Sequence, residues 1–188
     1  MRSPTLPAPR SEAGSAADRK PPPPQIESSR PVFLVKRIPG WSRNLGSRAT
    51  RAPKLVFVDS GIAAQQLATD AHQLLRPGQP FGPLLEGFVI AELARQATWS
   101  DQLVDLYHYR DQNRVEVDVI LENRQRQVVA IEVKAASTVR SDDFAGLRKV
   151  AARLGDDLVA GIVLYTGTST LPFGDRMRAM PVSALWQV

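Results

Sequence analysis

Three β-rich runs in quick succession, Asp105–Tyr109, Val115–Leu121 and Val128–Ala135, constrain the fold of this chain more than any other feature. Only the turn-like stretches Asp111-Gln112-Asn113 and Asn123-Arg124-Gln125-Arg126 separate them, so they read as strands. Helical segments flank them. Residues 60–76 read as one helix ending at Pro77, and residues 83–97 as a second with Pro83 in its first turn. A third is expected over 141–154, with Ser141 as N-cap ahead of Asp142 and Asp143. The run Gly161–Tyr165 reads as a buried strand. The order α, α, β, β, β, α, β predicts an α/β fold, a mixed sheet flanked by helices.

The 188 residues carry a formal charge of +5, unevenly spread. Residues 1–58 hold 11 Lys/Arg against 3 Asp/Glu, and residues 59–188 hold 13 against 16. The front of the chain is therefore basic and the body slightly acidic. Residues 1–30 lack aromatic side chains and include Pro21-Pro22-Pro23-Pro24, so they are expected to stay disordered. Val32–Val35 and Leu55–Val58 then read as two strands around a basic loop, a long hairpin or wing spanning 31–59. A folded domain is expected over 60–188. The absence of Cys excludes a disulfide framework, a thiol nucleophile and a cysteine zinc site. The longest apolar stretch, Leu158–Tyr165, is far short of the roughly 20 residues that span a bilayer. With no apolar segment near the N-terminus to act as a signal peptide, a cytoplasmic location and no membrane partner are expected.

Glu86 is the first residue that invites chemistry. On a helical wheel Val89, Ile90, Leu93 and Ala97 fall within about 60° of it, which puts a carboxylate in an apolar stripe. Such a group needs a cation, a metal or a hydrogen-bond donor, and an internal ion pair with a core Arg or Lys is the plainest solution. Glu92, beside Arg95 and Gln96, reads as a solvated residue. The second clue is alternation. In Val115-Glu116-Val117-Asp118-Val119 the two carboxylates share one face, and in Ile131-Glu132-Val133-Lys134 so do Glu132 and Lys134. A loop over 123–127 sets Asp118 opposite Glu132, directly or through a bulge. Two opposed carboxylates repel, and a hard divalent cation such as Mg²⁺ removes the conflict. A lysine two residues on can orient or deprotonate an attacking water and stabilise phosphate charge. The competing reading is a solvated strand face with ordinary surface charges.

Other constellations are weak. There is no P-loop and no G-x-S-x-G. His72 and His108 lack ligand spacing, Tyr107 and Tyr109 read as core or groove wall, and Asp59 or Ser60 as a helix cap. No organic cofactor is expected.

Six blocks then resemble one prokaryotic family in order: Lys54–Gly61, Leu84–Val89 with Glu92-Leu93, Tyr107–Asp111, Glu116-Val117-Asp118, Ile131–Lys134, and Pro181 with Leu185-Trp186. Together they are similar to the C-terminal region of AAA-type ATPases catalogued as domain of unknown function 4143 (DUF4143). The resemblance implies a restriction-endonuclease-like PD-(D/E)xK core, preceded by a remnant winged-helix wing hairpin. It implies Asp118, Glu132 and Lys134 as catalytic residues, with Asp118, Glu132 and Glu86 as Mg²⁺ ligands. The basic residues Lys36, Arg37, Arg43, Arg48, Arg51 and Lys54 would contact nucleic-acid phosphates. Two departures stand out: Val117 replaces the motif proline, and the usual P-loop ATPase domain and winged-helix helices are missing from this sequence. A detached or truncated C-terminal piece, with a P-loop ATPase made elsewhere as partner, is the corresponding expectation. The rival is a non-catalytic DNA- or protein-binding accessory module.

Overall fold

The computed structural model describes residues 34–48 and 51–187. The expected disordered arm, 1–30, and the start of the expected first strand, Val32-Phe33, lie outside the described residues. The chain enters through β1 (Val35–Ile38), a short helix α1 (Leu45–Arg48) and β2 (Lys54–Phe57). The two strands pair antiparallel, Val35 opposite Phe57 and Ile38 opposite Lys54, so the expected hairpin is present. Its first strand starts later than the apolar run suggested.

The single helix expected over 60–76 is two, α2 (Ser60–Gln66) and α3 (Ala71–Leu74). Asp59 caps α2 by accepting from the Ile62 N–H at 3.0 Å, as expected. The break has local causes. Ala68 adopts a left-handed φ of 50°, and Asp70 restarts the helix with a capping box. The Gln73 N–H donates to Asp70 Oδ1 at 2.8 Å, while the Gln73 side chain accepts from the Asp70 N–H.

Next comes α4 (Phe81–Gln96), with Pro83 in its first turn, where no N–H is missed. Three strands follow, β3 (Val104–Arg110), β4 (Glu116–Asn123) and β5 (Val128–Lys134), then a 3₁₀ turn (Ser141–Phe144) running into α5 (Ala145–Leu154). The expected Ser141 cap is not used. Asp143 accepts the Arg140 N–H at 2.8 Å instead, closing the turn one residue earlier. The chain finishes with β6 (Leu158–Tyr165), β7 (Leu171–Pro172), β8 (Met177–Pro181) and a 3₁₀ turn (Val182–Trp186). The last two strands leave no clear pattern in the sequence, because they are short and bounded or interrupted by Pro172, Gly174 and Pro181.

The strands from β3 onward form one six-stranded mixed sheet, ordered β3-β4-β5-β6-β8-β7. The first three are antiparallel, β5-β6-β8 run parallel, and β7 returns antiparallel at the edge. The expected mixed sheet with helices is therefore found. Alternate residues feed two apolar clusters. Ile120, Ala130 and Val163 pack with Phe144, Leu147 and Val150 from the α5 side. Val119, Ile131 and Leu164 pack with Val89, Ile90 and Leu93 of α4, and Ile38 and Val56 of the hairpin join them.

That arrangement revises two expectations for α4. The helix is covered by the sheet on one side and by β2 and α2 on the other. Its whole run Val89–Ala94 is consequently buried, rather than one stripe. Glu92 is not a solvated residue: it is 8% exposed, holds Arg95 and Gln96, and accepts from Trp186 Nε1 at 3.1 Å. Among the described residues no helix is long and apolar enough to cross a membrane.

Candidate functional site

The expected β4–β5 register is the one adopted. Val119 pairs with Ile131 and Glu122 with Val128, the register that sets Asp118 opposite Glu132. Pairing between these strands stops just short of those two residues. On the other edge of β4, Tyr107 faces Ile120 but Tyr109 faces Val117, so three steps along β4 oppose two along β3. This bulge swings the start of β4 away from β5, while β5 continues beside β6 as far as Lys134. A notch opens between the strands. Asp118 bridges it, its Oδ2 accepting the Val133 N–H at 2.9 Å.

Three carboxylates share one cation at the notch: Glu86 from the first half of α4, and Glu116 and Asp118 from β4. Lys54, the first residue of β2, reaches into them. Its ammonium pairs with Glu86, lies 3.2 Å from Asp118 Oδ1 and 3.9 Å from Glu116 Oε1. On the α5 side, Lys134 Nζ lies 3.6 Å from both Glu132 and Asp143. Glu86, expected to meet a cation, thus meets a lysine.

The electrostatics record crowding. Burial first, then the neighbouring Asp118, raises the Glu86 carboxyl above its ordinary value despite Lys54. The same two causes push Glu132 up to about 7 against the pull of Lys134. Lys54 moves the other way for a cation. Burial disfavours its charge, but Glu86 and Asp118 outweigh that and raise its pKa. Three carboxylates on Lys54, and two on Lys134, leave excess negative charge.

The donors are all oxygens of a hard type, the chemistry a Mg²⁺ ion takes, and the under-compensated Glu132 is what such an ion would relieve. Among the described residues, however, no three acidic or imidazole side chains stand together as a ready-made metal cage. The Lys54 ammonium lies among Glu86, Asp118 and Glu116.

The expected phosphate-binding residues divide. Lys36 and Arg37 are exposed on β1. Lys54 is in the acidic notch. Arg48 stacks over Tyr107, 4.7 Å from its ring centre, and pairs with the buried Glu122 at 2.7 Å. Arg43 pairs with Asp157, and Arg51 donates to the Arg110 carbonyl. Lys54, Arg48 and Arg43 thus answer acidic side chains of the body, whereas Arg51 holds a main-chain carbonyl. Tyr109 is core, as read, and Tyr107 packs against the same cluster. His108 is buried with Nε2 on the Ala52 carbonyl at 3.1 Å, and burial lowers its pKa.

Sequence reasoning missed two participants. Asp143 is separated from Lys134 by a turn that no periodicity predicts. Lys54 reads in the sequence as part of the basic loop, although its place at the head of a strand is a usable signal.

No solved structure matches this chain. Two curated relatives do: the uncharacterised proteins Rv2008c of Mycobacterium tuberculosis and Mb2031c of Mycobacterium bovis. Each is 26% identical over 161 residues, covering 85% of this chain but 34% of the relative. The chain thus spans about a third of the length of the relatives it matches. The family profile described as a domain of unknown function, DUF4143, matches residues 81–185, the stretch from α4 to the closing turn that supplies Glu86, Glu116, Asp118, Glu132, Lys134 and Asp143. More than half of the sequence falls inside that match, and the chain belongs to the DUF4143 family.

Proposed function

We propose that this domain is a PD-(D/E)xK nuclease-like module that hydrolyses phosphodiesters in nucleic acid with the help of Mg²⁺. One observation supports the reading: at the bulged end of β4 Asp118 and Glu86 share Lys54, and on the neighbouring β5 Glu132 pairs with Lys134. Asp118 and Glu132 would hold the ion, with Glu86 as a further ligand. When bound, Mg²⁺ would supply positive charge to a scissile phosphate and lower the pKa of water. Lys134 would present its ammonium to the same phosphate and help orient the water, held in place by Glu132 and Asp143. Asp118 is itself oriented by the Val133 N–H. Lys36 and Arg37 offer exposed charge for sequence-independent phosphate contacts. The β1–β2 hairpin suits the wing of a winged helix, and a P-loop ATPase module would lie in the remaining length seen in the longer relatives.

The test is cleavage of plasmid and single-stranded DNA with Mg²⁺ or Mn²⁺. Asp118→Ala and Glu132→Ala should each lower the rate by at least about a hundredfold, in line with losses from removing a group that stabilises the transition state. Cleavage that survives both substitutions removes these residues from the mechanism.

A second reading, a non-catalytic accessory module, is favoured by the internal pairing of Lys54 and of Arg43, Arg48 and Arg51. It predicts nucleic-acid or protein binding with no metal uptake by calorimetry.

A further inference from the structure

The outer edge of β2 presents backbone that nothing pairs. The Val58 N–H donates to the Leu34 carbonyl at 2.9 Å, so these residues face each other as a hydrogen-bonded pair. With the observed register, Lys36 with Val56 and Ile38 with Lys54 are hydrogen-bonded pairs too. Leu55 and Phe57, between them, turn their N–H and C=O groups away from β1. Among the described residues no hydrogen bond reaches those groups, and β2 has no second neighbour in its sheet.

A groove of about 360 Å³ runs beside that edge, walled by Ala63 and Leu67 of α2 and by Leu84 and Gly87 of α4. Its lining is mostly apolar, and Leu55, Phe57 and Leu67 are exposed around it. Gly87 is an independent mark of the same place. It lies in the interior of α4, where a glycine costs about 1 kcal/mol relative to alanine. No positive φ calls for it, and a Cβ added there would meet nothing within 4 Å. Packing gives no reason for a glycine; what its missing side chain does is leave the groove open.

We propose that this groove docks a peptide: an extended segment of another protein adds as a strand to the edge of β2 and places an apolar side chain between α2 and α4. The unpaired main-chain groups select the occupant, because a strand supplies donors and acceptors at the spacing they need. A lone peptide fits between the two helices more readily than the edge of a second copy, which brings its own α2 and α4 with it. Charge sets the composition. Glu86 lines one end of the groove, and its ammonium partner Lys54 is shared with Glu116 and Asp118. That end is net negative, so the peptide carries Lys or Arg there. The inference is independent of any chemistry at the notch.

The experiment titrates the full chain with short, fluorescein-labelled, proline-free peptides that alternate Val, Leu or Phe with Thr and end in Arg, and with a matched set ending in Asp. The Arg set should bind at least about tenfold more tightly than the Asp set. On saturation, hydrogen exchange in wild type, read by NMR, should slow at least about tenfold at the Leu55 and Phe57 amides and change little at the Val56 amide, which already pairs with β1. Leu55→Pro deletes an outward N–H without touching the β1 ladder and should weaken binding at least about tenfold, whereas Leu55→Ala should stay within about threefold of wild type. Gly87→Leu fills the groove and should abolish binding with thermal stability unchanged or raised.

No binding by either set up to about 1 mM overturns the proposal. So does binding that leaves the Leu55 and Phe57 amides exchanging freely, or that survives both Leu55→Pro and Gly87→Leu. Those amides protected before peptide is added, in a chain that sediments as a dimer, would assign the edge to a second copy and overturn it as well. Equal or tighter binding of the Asp set overturns the cationic requirement.

Discussion

The Glu132 carboxyl group, held up to about 7 by burial and by Asp118, makes a pH signature at the level of one residue. Its folded pKa lies above its ordinary value of 4.5, so the native state keeps a proton that the unfolded chain releases. Stability should therefore fall as pH rises from about 4.5 through about 7. Glu132→Gln stays neutral throughout and lacks that loss. It should match wild type near pH 4.5 and exceed it at pH 8 by about 1–3 kcal/mol, allowing for partial exposure. Urea unfolding across that range decides the matter, and a variant as pH-sensitive as wild type would place the titration elsewhere. Glu122 makes a contrasting case. It is 4% exposed and paired with Arg48 at 2.7 Å and Arg126 at 3.2 Å, well away from the notch. Glu122→Ala leaves Arg48 unpaired and largely buried, and should destabilise by about 3 kcal/mol in chemical denaturation. The sequence marked Glu86 as a carboxylate in need of a cation and paired Asp118 with Glu132. It did not mark Glu122 or Glu92, because their burial depends on neighbours remote in the chain.

At the level of elements, the notch depends on how closely α5 approaches β4. A Cβ added at Gly146, in the first turn of α5, would stand 2.7 Å from the Glu116 carbonyl oxygen. The obstacle is backbone, which cannot rotate aside. Gly146→Ala should therefore push α5 and the start of β4 apart and destabilise by about 1–3 kcal/mol. Because Glu116 and Asp118 ride on that segment, backbone amide NMR shifts at 116–118 should move, whereas those of β1 should not. Strands and helices around the notch were legible in the sequence through their short spacing, and the β4–β5 register followed from the loop over 123–127. The break between α2 and α3 was not, since it turns on one left-handed residue and a capping box inside an otherwise helical composition. The bulge in β4 was equally silent, being fixed by the pairing partner β3.

At the scale of the whole molecule, the sheet separates two apolar clusters that share no buried residue. Ile90 lies in one and Leu147 in the other, both fully buried. Ile90→Ala and Leu147→Ala should each destabilise by about 2–5 kcal/mol, and the double variant should equal their sum within about 0.5 kcal/mol if the faces are independent. A double-mutant cycle in urea measures the difference. A large coupling would mean that strain passes through the sheet from α4 to α5. By itself the sequence determined the mixed α/β architecture, the helices on either side of the strands, and a pair of acidic strand faces with a lysine nearby. Hydrophobic periodicity and turn chemistry act over a few residues, and that is enough to specify elements. Only the tertiary structure decided which charges meet. Lys54, Glu86 and Asp118 are brought together by a hairpin, a helix and a bulged strand, and Lys134 meets Asp143 across a turn, a placement that comes from packing two clusters against one sheet. Coulomb forces then act across distances in space to which spacing along the chain gives no guide.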